Sequence, residues 1–300
     1  MTEAHSRTVQ ASLNPLARLD PAQRVFVYPA WGRLALSLLL LWRWIGVWWV
    51  SLLVLLASDP PVTPPLLLRL VAIGIVVPFI LEMVFRRAYR ARTFCEPETL
   101  RIAFRSEELE IPRARIAAVR PWRVPLPGPG LALLVPGGKL LRERVEVPSP
   151  RSWAKLHGLA LEEGSRATAA TLAFAEARAA SQPWRWYHYV AKFFVFGLIP
   201  AALLFQVHQR IAYGSVLGEY YLRGPAAYLR TWAVYYGTVV VYLLLFAGLL
   251  RSVLEVLLWF AAQTHPQRAI PGRRAGERLV HFVYYLGVLL LLALRFSGCG

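Results

Sequence analysis

Five stretches of this chain are apolar for long enough to cross a bilayer, and that feature constrains the fold more than any other. A helix rises about 1.5 Å per residue, so about 20 mainly apolar residues are needed to traverse roughly 30 Å of hydrocarbon. The first stretch covers residues 34–57, LALSLLLLWRWIGVWWVSLLVLLA. The second, LLLRLVAIGIVVPFILEMVF, covers 66–85, and Pro78 is expected to kink it because proline has no N–H to donate. Pro60, Pro61, Pro64 and Pro65 break the chain between the two. The third runs over 189–207 and the fifth over 279–296. The fourth starts near Thr231 and stays apolar past Arg251 and Glu255 to Ala262. That is about 48 Å of helix, which must protrude from a bilayer or tilt in it.

With 57% hydrophobic and 17% charged residues, the composition excludes a disordered chain, a disulfide-rich secreted domain and an ordinary water-soluble enzyme. Lys139, Lys155 and Lys192 are the only lysines among 34 basic residues, an arginine bias typical of a GC-rich bacterial genome. The formal charge of +17 reads as cytoplasmic loops facing anionic headgroups rather than as nucleic-acid binding. Residues 1–33 carry four Lys and Arg, 86–188 carry eighteen and 263–278 carry four, against none in 58–65 and three in 208–230. By the positive-inside rule the N-terminus and central segment are cytoplasmic and the C-terminus lies outside, in a bacterial inner membrane. Cys95 and Cys299 then fall on opposite sides and form no disulfide. The first 33 residues, ending in the aromatic stretch 26–31, read as a cytoplasmic interfacial arm.

Between the second and third stretches lies the one segment with a soluble texture. ETLRIAF (98–104) and ELEIP (108–112) alternate polar and apolar residues, the period of half-buried strands. RIAAVRPW (115–122) reads as another strand, and 126–147 as a Pro/Gly turn, a strand, a Gly137-Gly138 turn and a strand. From Ser165 the Ala-rich SRATAATLAFAEARAA reads as a helix, capped by Ser165 and anchored by Leu172 and Phe174. The order I-P-x-x-x-I-x-x-V-R-P-W, a P/G turn, then G-L-x-L-x-V-x-G-G-K is carried by Ile111, Pro112, Ile116, Val119, Arg120, Pro121, Trp122, Gly130, Leu131, Leu133, Val135, Gly137, Gly138 and Lys139. It resembles the small pleckstrin-homology-like β-domains of bacterial membrane proteins, over about fifty-five residues. The resemblance implies a partly open barrel capped by a helix, with a role in binding or oligomerisation, and it transfers no functional residue.

Ionisable groups inside apolar helices are costly, so each is a functional candidate. Arg43 and Glu82 are expected to form an intramembrane ion pair, and Arg251 and Glu255, four residues apart, an interfacial salt bridge. Arg86, Arg87, Arg90, Arg92, Arg120 and Arg123 are candidates for headgroup or partner contact. In the outer segment 208–230, Tyr213, Tyr220, Tyr221 and Tyr228 mark an interfacial docking surface. His188 and His281 sit among aromatic residues that read as an interface belt rather than a haem pocket, and His208 with Glu219 makes a weak metal pair. No P-loop, G-x-G-x-x-G, H-E-x-x-H, G-x-S-x-G or C-x-x-C occurs, so no cofactor, metal or catalytic residue is expected.

The expected fold is a polytopic α-helical membrane protein with five transmembrane helices and a small cytoplasmic β-rich PH-like domain inserted between helices 2 and 3. Its segments are the arm 1–33, a helical hairpin 34–85, the cytoplasmic part 86–188, and helices 3 to 5 in 189–300. The expected role is a non-catalytic scaffold or accessory subunit that binds membrane lipids, partner subunits or further copies of itself. Two alternatives stay open: a transporter or channel using Arg43 and Glu82, and a membrane-embedded lipid-modifying enzyme.

Overall fold

The computed structural model describes residues 23–56, 63–95, 98–104, 108–137, 139–181 and 185–297. These divide into two compact units. The first holds the residues up to Leu38 together with Leu81–Glu176, and the second holds Leu39–Ile80 and those from Ala177 onward.

The first unit is built on a seven-stranded sheet: β1 (Gln23–Pro29), β2 (Arg90–Cys95), β3 (Thr99–Ala103), β4 (Glu108–Pro112), β5 (Ala118–Pro121), β6 (Gly130–Leu134) and β7 (Leu140–Glu146). The order is β4-β3-β2-β1-β7-β6-β5 and every pair is antiparallel. Period-two alternation sends Val25, Val27, Ala91, Leu100, Ile102, Ile111, Val119, Leu131, Leu133 and Val145 to one buried face. That face is closed by Trp153 and Ala154 of α4 (Pro150–Leu156), a short helix whose first turn is capped by the Ser149 hydroxyl accepting from Ser152 N–H. The β5 edge is covered, since Val119 N–H donates to the Ala160 carbonyl and Glu162 N–H to the Val119 carbonyl. Helix α5 (Arg166–Ala179) buries Ala170, Thr171, Leu172, Phe174 and Ala175, and Thr168 N–H donates to Ser165 Oγ at its start. The opposite edge, β4, ends in Pro112 and carries Glu108 and Glu110, residues that discourage pairing with a further strand.

Helix α1 (Ala30–Leu56) follows β1 without a loop. The next helical stretch comprises α2 (Pro64–Val71), a π-helical turn over Ala72–Val76, and α3 (Val77–Ala88), after which β2 begins at Arg90. Pro78 has no N–H for the carbonyl of Gly74 four residues back, and the helix absorbs the mismatch as the π turn that precedes it. In the second unit α6 (Trp186–Tyr189), a π turn over Val190–Val195 and α7 (Phe196–Tyr213) form one stretch with Pro200 inside it. Gly214, at φ +73°, ends α7, and a short α8 (Gly218–Arg223) leads to the 40-residue α9 (Pro225–Thr264) and then α10 (Ala269–Ser297). Phe193, Ala201, Val239, Leu243, Tyr284 and Val288 form the main helical core. Val50, Leu67 and Leu245 form a second. A Cβ on Gly46 would collide with the Gly74 carbonyl oxygen, so α1 meets the π turn at backbone contact.

The expected five-span protein with an inserted domain is corrected in two respects. Among the described residues four helices are long and apolar enough to cross a membrane: Ala30–Val54, Pro65–Ala88, Trp186–Tyr213 and Pro225–Thr264. Helix α10, 29 residues long, is not among them, and its first turns carry Arg273, Arg274, Glu277 and Arg278. Nor is the sheet confined to the segment between the second and third helices. β1 comes from residues assigned to the arm 1–33 and sits between β2 and β7, so the first two apolar helices interrupt the sheet rather than the sheet interrupting the helices. Residues 1–22 of the arm lie outside the described residues.

Candidate functional site

Where α3 and β1 meet in the first unit, charged groups lie in a largely dry place. Alternation along β1 puts Phe26 and Tyr28 on the face opposite the main core, and the register sets Phe26 beside Arg90 and Glu146. Tyr28 is fully buried with Leu36, Trp122 and Ala132, against Phe26, Phe85 and Tyr89. Arg86, in the last turn of α3, places Nη1 2.7 Å from Glu146 Oε1 and Nε 3.2 Å from Glu82 Oε1. The Tyr28 hydroxyl donates to Glu146 Oε2 at 3.0 Å. Burial, reinforced by the Glu146 carboxylate, pushes the Tyr28 phenol well above its ordinary range, so it stays a hydrogen-bond donor. Gly128 leaves room for the carboxylate, because a Cβ there would strike Glu146 Oε1. Beside this network the Arg33 guanidinium lies 4.0 Å over the Trp122 ring and donates to the Val124 and Leu126 carbonyls. A Cβ at Gly130 would stand 2.7 Å from that ring, so only glycine admits it.

A second network lies in the second unit. Glu255 receives Arg273 through both oxygens, at 2.6 and 3.3 Å, and Arg251 through Oε1 at 2.9 Å. Glu277 takes Arg273 Nε at 3.1 Å and Arg251 Nη1 at 3.5 Å. Two guanidinium groups thus balance two carboxylates, with Arg273 only 1% exposed. A third polar knot fastens the loop before α9. Gln209 Nε2 donates to Glu219 Oε2 at 2.7 Å, Thr231 Oγ1 donates to Glu219 Oε1 at 2.8 Å, and Glu219 N–H donates back to Gln209 Oε1. Burial opposes ionisation of Glu219, but the hydrogen bonds from Thr231, Gln209 and Tyr213 outweigh it and hold the carboxyl below its ordinary range.

The structure assigns the residues singled out from sequence to different surroundings. Glu82 has Arg86 as a partner at 3.2 Å, and Arg43 lies 5.6 Å over the Phe79 ring. Arg251 and Glu255 lie together as their spacing predicts, with Arg273 and Glu277 added. Arg120 is engaged by Glu162, at 2.7 and 3.0 Å. Arg123 has an exposed side chain, and its carbonyl accepts from Thr171 Oγ1. Arg87, Arg90 and Arg92 are exposed. Tyr228 packs edge-on to Phe205, Tyr220 packs edge-on to Tyr221 and Tyr228, and Tyr213 stacks under Arg223. Tyr221 is 76% exposed. His188 Nδ1 accepts from Arg185 N–H, and His281 Nδ1 lies 2.6 Å from the Glu277 carbonyl. Among the described residues no group of three or more His, Cys, Asp and Glu could hold a metal ion.

Sequence reading missed Tyr28, Glu146, Arg273 and Glu277. Glu146 carried little signal, since it follows Arg142, Glu143 and Arg144 and reads as the polar member of an alternating strand. Arg273 carried none, because a basic residue between two helices reads as solvated. The chain matches no protein-family model, no curated protein and no solved structure.

Proposed function

We propose that this chain is an integral membrane scaffold or accessory subunit whose sheet is fastened directly to a pair of membrane helices. The observation that carries the reading is the pairing of β1 with β2. One strand leads into the first apolar helix, the other leaves the second, and the two are neighbours in the middle of the sheet. A displacement at the foot of either helix is therefore felt by central strands, which suits a part that transmits position rather than one that performs chemistry. The buried charges support the same reading. Arg86 is held between Glu82 and Glu146, and Arg273 between Glu255 and Glu277, so these groups hold elements together.

In this reading the four apolar helices lie in a bacterial inner membrane and the sheet faces the cytoplasm, as the basic excess of 86–188 argues. Residues 98–147 supply five of the seven strands, β3 to β7, and their resemblance to pleckstrin-homology-like domains implies a role in binding. The Tyr220 and Tyr221 surface is a second contact for partners. Solubilisation of the native membrane in mild detergent, followed by measurement of intact particle mass and identification of every component, tests the proposal. A particle with further proteins in fixed ratio is expected. A lone monomer that moves ions or turns over lipid would overturn it in favour of a transporter or an enzyme.

A further inference from the structure

Two observations in the first unit meet at one place. The first is an aromatic cluster at the feet of the apolar helices. Trp31 packs edge-on to Phe85 and Tyr89, at 5.9 and 6.3 Å, and Phe85 stacks on Tyr89 at 5.3 Å. Trp31 remains 56% exposed, and tryptophan and tyrosine at such a position concentrate at the headgroup level of a bilayer. The second is the distribution of charge on the sheet. Phe26 and Tyr28 face away from the main core, and the first turns of α1 and the last turns of α3 pack on them through Leu36 and Phe85. The register sets Arg90 opposite Phe26, and Arg144 opposite Tyr28. Arg92, two residues along β2, faces the same way, and Arg142 is exposed two residues before Arg144, in the irregular stretch of β7 where Leu140 pairs with Leu134 and Arg144 with Ala132. The first turns of α1 and the last turns of α3 therefore pack on the face of the sheet that bears these arginines. Strand spacings of about 4.8 Å and a rise of about 3.3 Å per residue put Arg90, Arg92 and Arg144 within roughly 10 Å of Phe26, and Arg87 closes the group from the end of α3.

Of the three carboxylates that the strands place on this face two are engaged, and the third, Glu108, stands on the edge strand β4, two strands from Arg92. Glu146 holds Arg86 and Tyr28, and Glu110 holds Arg101. Among the described residues Arg87, Arg90, Arg92, Arg142 and Arg144 have no carboxylate within ion-pair distance. We infer that Arg87, Arg90, Arg92, Arg142 and Arg144 form a binding surface for the phosphate groups of anionic glycerophospholipids in the leaflet next to the sheet. Guanidinium forks match phosphate oxygens geometrically, and the aromatic cluster sets them at headgroup depth. The inference rests on the membrane reading above. It also narrows the sequence expectation, because Arg86 and Arg120 are committed to Glu146 and Glu162 and drop out of the surface.

The test uses the full-length chain reconstituted in phosphatidylcholine vesicles with and without phosphatidylglycerol. Quenching of tryptophan by brominated lipids gives the preference for phosphatidylglycerol over phosphatidylcholine. The native chain is expected to prefer phosphatidylglycerol, and each arginine removed should lower the preference up to about five-fold at low salt. The triple variant Arg90→Gln, Arg92→Gln, Arg142→Gln should lose most of it, and Arg90→Lys, Arg92→Lys, Arg142→Lys should keep most of it. Equal preference in the native chain and the glutamine triple, with both folded by thermal melting, would overturn the inference. So would loss of the preference on adding millimolar inorganic phosphate at constant ionic strength, which would mark a site for free anion. Alkaline-carbonate extraction separates the two readings. Release of the native chain from membranes defeats the membrane reading itself, whereas a retained chain without lipid preference defeats the surface alone.

Discussion

Arg86 shows how a single residue ties a helix to a sheet. Its guanidinium reaches Glu82 within its own helix and Glu146 across on β7, while Tyr28 occupies the other Glu146 oxygen. Removing one member of such a group leaves a charge without its counterpart in a poorly solvated place, at a cost of about 3–5 kcal/mol. Glu146→Ala should therefore lower thermal stability sharply. Arg86→Met added to it should cost far less than Arg86→Met alone, because the two residues act as a unit, and a double-mutant cycle on purified protein checks the difference. Glu219 gives a pH prediction. Its folded carboxyl titrates below the ordinary value of 4.5, so its contribution to stability is complete above that value and is lost as pH falls through the folded value. Melting temperatures taken from about pH 6 to about pH 3 should show an acid-dependent decline that is smaller in Glu219→Gln.

At the scale of elements, backbone contact at Gly46 depends on two irregularities at once, the missing side chain and the π turn that Pro78 imposes on Ala72–Val76. Gly46→Ala forces a Cβ onto the Gly74 carbonyl and should destabilise the helix pair by about 1–3 kcal/mol, read from unfolding in a denaturing detergent. Gly237→Ala, in α9 with open space around it, is the matched control and should change little. Elements whose pattern is local were legible. β3 and β4 fall inside ETLRIAF and ELEIP, and the Gly137 turn separates β6 from β7 as its composition implies. β1 and β2 were not. VFVYP alternates Val25 and Val27 with Phe26 and Tyr28, but both sets are apolar because both faces of this central strand are covered, so no polar period remained to read. RARTFC does alternate, with Ala91 and Thr93 buried, yet its arginines adjoin an apolar helix and read in sequence as a membrane flank. The Arg251–Glu255 pair was legible because its spacing is helical, whereas Arg273 joins it from another helix and no local pattern announces such a partner.

Among the described residues two links between the sheet and the apolar helices are short. Pro29 of β1 is followed at once by Ala30 of α1, and only Tyr89 separates α3 from β2, with its carbonyl accepting from Val27 N–H of β1. Val27→Pro would remove that donor from a central strand, and the sheet should unfold or expose its core while helical content persists, as far-ultraviolet dichroism and limited proteolysis would show. The central claim, that a strand ahead of the first apolar helix lies between β2 and β7, is tested most directly by disulfide trapping. Paired strand positions bring Cα atoms to about 4.5–5.5 Å, within the span a disulfide accepts. In a chain with Cys95 and Cys299 replaced by serine, Val25→Cys with Ala91→Cys, and Val27→Cys with Val145→Cys, should each cross-link in membranes under mild oxidant. Val25→Cys with Ile111→Cys, three strands away, should not. Failure of both expected pairs, with the chain folded, would remove β1 from the sheet and with it the account of how the helices are fastened.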